Sequence, residues 1–367
     1  MKTTTDDRII LTLDAGGTNF VFSAIQSNKA ITKPYTLPAE ADDKHKCIKN
    51  IIDGFKHINS LTEKKASAIS FAFPGPADYE LGILGNLPNF KAFNGNVPLG
   101  PILEGEFELP VFINNDGNLF AYGEALSGYL PYINERIVNA GGIKQFKNIL
   151  GLTLGTGFGG GIVINNNLIV GDSSCGAEVH NTLNKFNTDW NAEESISTRA
   201  IQRVYSQECG MPFSDTLMPR DIAEIANGNL PGNRIGAIAA FKHFGEALGS
   251  SIANIVTVID GLVVLGGGIT AAWDLFSSYM FNEINRKYNH FTGYETNRLS
   301  INIFDLEDEK IFREFAIGNI QSIGIPGTRK RIEFDALPRT GVGVTKIGAS
   351  HAIALGAYSF ALQQLDK

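Results

Sequence analysis

A pattern that occurs twice constrains this chain more than any other feature. A short apolar run, Arg8–Leu13, meets the glycine turn Asp14-Ala-Gly-Gly-Thr-Asn19; a second run, Phe20–Ile25, a polar turn at Ser27–Lys29 and a third run, Ile31–Leu37, follow. About 140 residues later the order recurs: Ile149–Leu154, the turn Gly155-Thr-Gly-Phe-Gly-Gly-Gly161, Gly161–Ile164, the turn Asn165-Asn-Asn167 and Leu168–Val170. The residues differ while the architecture repeats, so the spacing predicts a duplicated fold.

Between the copies, Ile48, Ile51, Ile52, Phe55 and Ile58 share one face of a helix expected over Lys44–Leu61. A strand at Ala68–Phe73, a Pro/Gly-rich loop through Phe93, a strand at Val111–Asn114 and a helix from Gly117 to Leu126 follow. After the second copy the pattern predicts helices at Glu193–Glu208, Ile235–Val258 and Ala271–Tyr288, a buried strand at Leu262–Leu265 and a last helix at Ala349–Leu365. Leu299–Arg339 reads as an inserted β-rich excursion with a hairpin, Gln321–Phe334, around Pro326-Gly327; Ser127–Asn148 is a second extra segment. Strand-then-helix order marks an α/β protein.

Composition narrows the partners. A length of 367 residues suits two lobes with insertions, and 43% hydrophobic residues exclude a wholly disordered chain. Lys+Arg of 31 against Asp+Glu of 38 gives a formal net charge of −7, with no basic block to neutralise a run of phosphates. No nucleic acid and no anionic membrane surface is therefore expected as a partner. No apolar run approaches the roughly 18 residues of a membrane span, and Met1–Arg8 carries acids where a secretory signal has its apolar core. Cys47, Cys175 and Cys209 are scattered, which gives neither a disulfide framework nor a Cys-x-x-Cys site; a reducing, cytoplasmic compartment is expected.

The 40 glycines exceed the usual roughly 7% and gather in the two turns above and in Gly266-Gly-Gly268. Turns that expose successive backbone N–H groups form anion sites, and glycine permits the close approach. Gly16, Gly17 and Gly157 can act so, though hairpin turns need glycine for shape alone. No Gly-Lys dipeptide exists for a Walker loop. Gly155-x-Gly157-x-x-Gly160 matches the dinucleotide fingerprint, but a strand rather than a helix follows it. Two phosphate turns facing one cleft could hold one nucleotide, with Asp14 either holding a metal-bound water or ending its strand. A second group, Asn114-Asn-Asp116, lies where a strand ends and a helix begins. Asp116 there could be the helix N-cap or the base of a phosphoryl transfer to an alcohol.

Leu13-Asp-Ala-Gly-Gly-Thr-Asn-Phe20, Ile113-Asn-Asn-Asp116, Leu154-Gly-Thr-Gly-Phe-Gly-Gly-Gly161 and Val264-Leu-Gly-Gly-Gly-Ile269, in this order, resemble the motifs of ROK-family sugar kinases of the hexokinase/actin-like superfamily. Phe73-Pro-Gly-Pro-Ala77 and Gly85-Asn-Leu-Pro88 resemble that family's sugar loops, and the general match is to bacterial glucokinases. The resemblance implies a two-lobed actin-like (ribonuclease H-like) α/β fold with duplicated mixed sheets and a cleft. A smaller lobe would comprise 1–117 plus 346–367 and a larger lobe 118–345. It implies ATP and Mg²⁺ as cofactors, a hexose substrate and a homodimer. Gly16, Gly17, Thr18 and Asn19 would meet the phosphates on one side and Gly155, Thr156 and Gly157 on the other. Gly267 and Gly268 would face adenosine, and Asp14 would reach Mg²⁺ through water. Asp116 would be the catalytic base; Gly75, Asn86, Asn115, Glu178 and Glu193 would hold the sugar.

The chain departs from that family at its zinc loop. Gly176-Ala-Glu-Val-His-Asn181 keeps the glutamate as Glu178, but His180 falls one residue early, Asn181 takes the histidine position, and no cysteine occurs between Glu178 and Glu193. No structural zinc is expected. Glu194 is the alternative to Glu193, and His180 is read as a polar loop residue, a sugar contact or, least of all, a metal ligand. Some ROK proteins are repressors that carry a helix-turn-helix before the first motif; only 13 residues precede Asp14 here. A non-catalytic sugar sensor and a kinase acting on a non-sugar acceptor are the competing readings.

Overall fold

The computed structural model describes residues 3–16, 18–75, 77–85, 87 and 91–367. The chain divides into two compact units, one of residues 1–128, 161–177 and 347–367, the other of residues 129–160 and 178–346.

The first unit is built on strands β1 (Ile10–Ala15), β2 (Asn19–Gln26), β3 (Lys29–Ala30), β4 (Tyr35–Pro38), β5 (Ala68–Ala72) and β6 (Val111–Asn114). They lie in the order β3-β2-β1-β5-β6, with β4 beside β2. β1 runs antiparallel to β2 and parallel to β5, which runs parallel to β6. Alternation along β1 explains the layers. Leu11 and Leu13 join a phenylalanine-rich core with Phe20, Phe22, Phe71 and Phe73, closed by Cys47, Ile51, Phe55 and Ile58 of helix α1 (Lys44–Ser60). Ile10 and Ala68 face the other way, onto Leu355, Tyr358 and Leu362 of the chain's last helix, Ala349–Leu365. Helices α2 (Leu99–Phe107) and α3 (Asp116–Leu126) complete the unit. The last helix crosses α3 at two glycines: a Cβ on Gly123 would lie 1.9 Å from the Ala352 carbonyl oxygen, and one on Gly356 would lie 1.9 Å from that of Leu119.

The second unit repeats the plan with β7 (Asn148–Leu154), β8 (Phe158–Ile164), whose later residues return to the first unit with β9 (Asn167–Leu168), then β10 (Leu262–Gly266), β11 (Asn302–Asp305) and β12 (Arg339–Val344). The sheet's order is β9-β8-β7-β10-β12-β11, with β10 parallel to β7 and β12, and β12 parallel to β11. Strand by strand this is the order of the first sheet with β11 added at one edge. Both copies turn alike: Ser27 and Asn28 have φ of 51° and 62°, Asn165 and Asn166 φ of 50° and 65°, the hairpin geometry that favours Asn. Helices α4 (Tyr129–Asn139), α5 (Thr198–Glu208), α6 (Pro219–Asn227), α7 (Arg234–Ile259), α8 (Trp273–Ile284) and α9 (Glu309–Ile317) belong here. The fold is the duplicated α/β architecture expected.

Several elements differ from expectation. The run Ile31–Leu37 is not one strand, because Pro34 brings no N–H to the ladder and β4 starts only at Tyr35. The helix expected from Glu193 starts at Thr198, where Ser197 caps it by accepting the Ala200 N–H at 3.3 Å. The helix expected to reach Tyr288 stops at Ile284, and Lys287–Asn289 pairs instead with Glu295–Asn297. Leu299–Arg339 is not merely an excursion: it supplies β11, a strand of the main sheet, and α9 before the hairpin Ile320–Gly324/Arg331–Asp335. Ser127–Asn148 holds α4, whose Leu130, Ile133 and Ile137 are buried. Among the described residues no helix is long and apolar enough to cross a membrane.

Candidate active site

In the first unit the site residues come from the ends of β1 and β6. Asp14 occupies β1 opposite Val21 with its side chain open to solvent, and the turn that follows leaves Thr18 and Asn19 exposed. Gly16 lets the chain double back, since a Cβ there would lie 2.9 Å from the Asn19 carbonyl oxygen. Gly17 and Asn86 lie outside the described residues. Gly75 is half-buried beside Tyr79, whose hydroxyl donates to the Phe73 carbonyl at 2.9 Å.

At the end of β6, buried Asn114 uses its Oδ1 to accept the Asn115 N–H at 2.8 Å and the Asn118 amide at 3.0 Å. Asn115, not Asp116, is the N-cap of α3: its Oδ1 accepts the Gly117 N–H at 2.8 Å. That corrects the capping alternative for Asp116, which stands at the first helical position, also within 2.9 Å of the Gly117 N–H. Capping occupies the Asn115 oxygen and leaves its amide nitrogen to offer a ligand. Solvent reaches Asp116, yet protein surrounds it closely enough for desolvation to push its carboxyl above the ordinary range. The charge of Asp14 pushes the same way, and the Gly117 N–H opposes both. Desolvation raises Asp14 as well. A carboxylate so raised suits proton uptake, because it binds a proton more firmly than a solvated one does.

In the second unit the two other glycine clusters meet. Gly267 has φ of 95°, and a Cβ there would lie 2.3 Å from the Leu154 carbonyl oxygen, so only glycine fits beside the turn that Leu154 enters. Gly268 is exposed with open space around it, as is the Cβ position of Gly155. Within the turn the Gly155 N–H donates to the Gly157 carbonyl at 3.1 Å, and the Gly155 carbonyl accepts both the N–H (2.8 Å) and the hydroxyl (3.0 Å) of Thr198. The N–H groups of Thr156 and Gly157 have no protein partner among the described residues. Open space beside unpaired amides fits a phosphate.

Glu193 sits on this turn: its Oε2 accepts the Phe158 N–H at 2.9 Å and would lie 2.5 Å from a Cβ on Gly157. Glu194 pairs instead with Arg199. Glu178 Oε2 lies 3.0 Å from His180 Nδ1. Among the described residues no three His, Cys, Asp or Glu side chains gather as metal ligands, and all three cysteines are free. The segment between Glu178 and Glu193 does not fit zinc. Asp14, an exposed carboxylate beside a glycine turn, fits a Mg²⁺ ion held through water. Thr198, Asn184, Ser195 and His243 went unnoticed in the sequence; the one available signal was Ser197-Thr198, a helix-start pair.

The model of the ROK family matches residues 10–302. A solved glucokinase from Parabacteroides distasonis is 49% identical, with a TM-score of 0.89 and coverage of 99% of both chains. A glucokinase of Thermotoga maritima is 27% identical over 282 residues, 72% of this chain and 84% of that one. A xylose repressor of Caldicellulosiruptor bescii is 26% identical over 279 residues, 71% of this chain and 65% of the repressor. A family model across most of the chain and a solved structure nearly half identical along its whole length settle the lineage of the duplicated sheets and their glycine turns: this chain belongs to the ROK family.

Proposed function

We propose that this sugar kinase transfers the γ-phosphoryl group of ATP to a hexose hydroxyl, glucose being the expected acceptor, with Asp116 as the base. The observation that carries the reading is the division of labour at the start of α3: Asn115 caps the helix, and Asp116 keeps a raised carboxyl that solvent can reach. The glucokinases among its relatives support glucose as the acceptor. Asp116 would take the hydroxyl proton as the oxygen attacks, which raises the oxygen's nucleophilicity where the bond forms. Asn115, Gly75, Asn86, Glu178 and Glu193 would fix the ring, so that one hydroxyl presents itself to Asp116 and water does not.

The amides of Thr156 and Gly157, with the turn at Gly16–Asn19, would bind the triphosphate, and Gly267 and Gly268 would approach the adenosine. Asp14 would hold Mg²⁺ through water. Bound Mg²⁺·ATP supplies the phosphoryl group and neutralises the charge that develops on it. A coupled assay of ADP release across a hexose panel, with ATP and Mg²⁺, tests the reading. Hexose-dependent ADP release is expected, with glucose the best substrate; hexose binding without ADP release would overturn it in favour of a sugar sensor. Sedimentation at working concentration tests the expected homodimer.

A further inference from the structure

The segment from Glu178 to Ser195 carries two of the proposed hexose residues near its ends, and something other than a metal folds it. Asn184 is only 3% exposed, and each end of its amide is used. Nδ2 donates to the Asn191 carbonyl at 2.8 Å and to the Ser195 hydroxyl at 2.9 Å. Oδ1 accepts the N–H of Phe186 at 2.9 Å and of Asn187 at 3.3 Å. Backbone bonds frame the loop: Asn184 N–H to Trp190 O at 3.2 Å and Ala192 N–H to Thr182 O at 2.8 Å. All these groups belong to the segment itself. Lys185 pairs with Glu283 of α8 and Arg203 of α5 covers the Trp190 ring at the segment's surface; the link that reaches its buried centre is His243 of α7, whose Nε2 lies 3.2 Å from the fully buried Ser195 Oγ while Phe186 stacks on its ring at 3.9 Å.

We propose that Asn184, Ser195 and His243 form a polar pin that folds this segment where a metal would otherwise serve, and that they are positioning residues for the hexose through Glu193. The route is short. Ser195 directly follows the turn Ala192–Glu194 and donates its N–H to the Ala192 carbonyl at 3.0 Å, so fixing Ser195 fixes the turn that aims Glu193. Buried and mutually satisfied polar groups specify one arrangement strongly, because each unpaired group would carry a desolvation penalty. The proposal rests on the hexose-kinase reading above.

The test uses the full chain with Ser195→Ala, which deletes one buried oxygen, His243→Phe, which keeps a ring for Phe186 but no hydrogen bond, and His243→Gln, which keeps a hydrogen-bonding group near the Nε2 position. Loss of one bond of this kind is expected to raise the glucose KM about tenfold in Ser195→Ala and His243→Phe. The kcat is expected to change less, and His243→Gln to recover most of the loss. Amide hydrogen exchange of residues 182–195, measured without ligand, should quicken in the same two variants. A glucose KM within twofold of wild type in both, unchanged exchange, or His243→Gln as impaired as His243→Phe would each overturn the proposal. Should His243→Phe fail to fold, Ser195→Ala decides alone. A wild-type chain that turns over no hexose would overturn the kinase reading and the positioning role with it, while the exchange measurement would still decide whether the pin exists.

Discussion

The base role proposed for Asp116 is compatible with the start of α3, because Asn115 and not Asp116 is the N-cap. With the Gly117 N–H accepted by Asn115, Asp116→Asn keeps size and helix start and removes only the proton acceptor. Turnover is expected to fall by about two to four orders of magnitude with the glucose KM little changed, and steady-state kinetics with ADP detection checks it. Full activity would exclude Asp116 as the base. The base must be deprotonated to work, so activity rises with pH through its pKa, and a raised pKa places that acid limb above the ordinary 3.8. Asp14→Asn removes one charge that raises it. In the metal-free protein the Asp116 carboxyl should therefore titrate at lower pH in Asp14→Asn than in wild type; an NMR titration in which it stays or climbs would contradict the coupling. At this scale the sequence offers candidates where they sit in consecutive residues, as in Asp14–Asn19 and Asn114–Asp116. It was silent on Asn184, Ser195 and His243, because their meaning lies in contacts across tens of residues that no local pattern encodes.

Among elements, the turns were legible because their conformations demand particular residues, as Ser27-Asn28 and Asn165-Asn166, all with positive φ, show. Of the four helices missed, α2, α4, α6 and α9, the first two have local reasons to be missed. α2 carries Gly100 and Pro101 in its first turn and α4 carries Pro131, so propensity argued against both, and burial of Leu103, Leu130 and Ile133 won. β11 is four residues long and exists through its ladder with β12, a pairing between segments distant in sequence. The crossing of α3 with the last helix makes a paired prediction. Gly123→Ala forces a Cβ against the Ala352 carbonyl, and such overpacking is expected to cost about 1–3 kcal/mol. Gly105→Ala, on the exposed side of α2 with nothing within 4 Å, should instead stabilise by up to about 1 kcal/mol. Thermal melts of the two variants check the opposite signs; equal shifts would mean that the helices part easily to admit a methyl group.

For the molecule as a whole, the buried pin makes stability depend on pH. Burial, with the charges of Arg203 and Lys185 acting the same way, lowers the His243 pKa from 6.5 to about 4. Above pH 6.5 the ring is neutral in folded and unfolded chains alike, and its contribution is fully present. Between 6.5 and about 4 the unfolded chain takes up a proton that the folded one refuses, so stability falls as pH falls; below about 4 the loss is complete. The whole loss is at most on the order of 3 kcal/mol. Carboxylates titrate in the same window, and Asp116, held above its ordinary range, opposes the trend, so the wild-type curve alone would mix the two. The difference between wild type and His243→Gln removes the carboxylates, which both chains share. That difference in denaturant-derived stability is expected to be constant above pH 7 and to shrink steadily from pH 6.5 towards 4, because glutamine has no proton to gain. A constant difference across the range would show that His243 titrates normally, and that the ring beneath Phe186 is open to water.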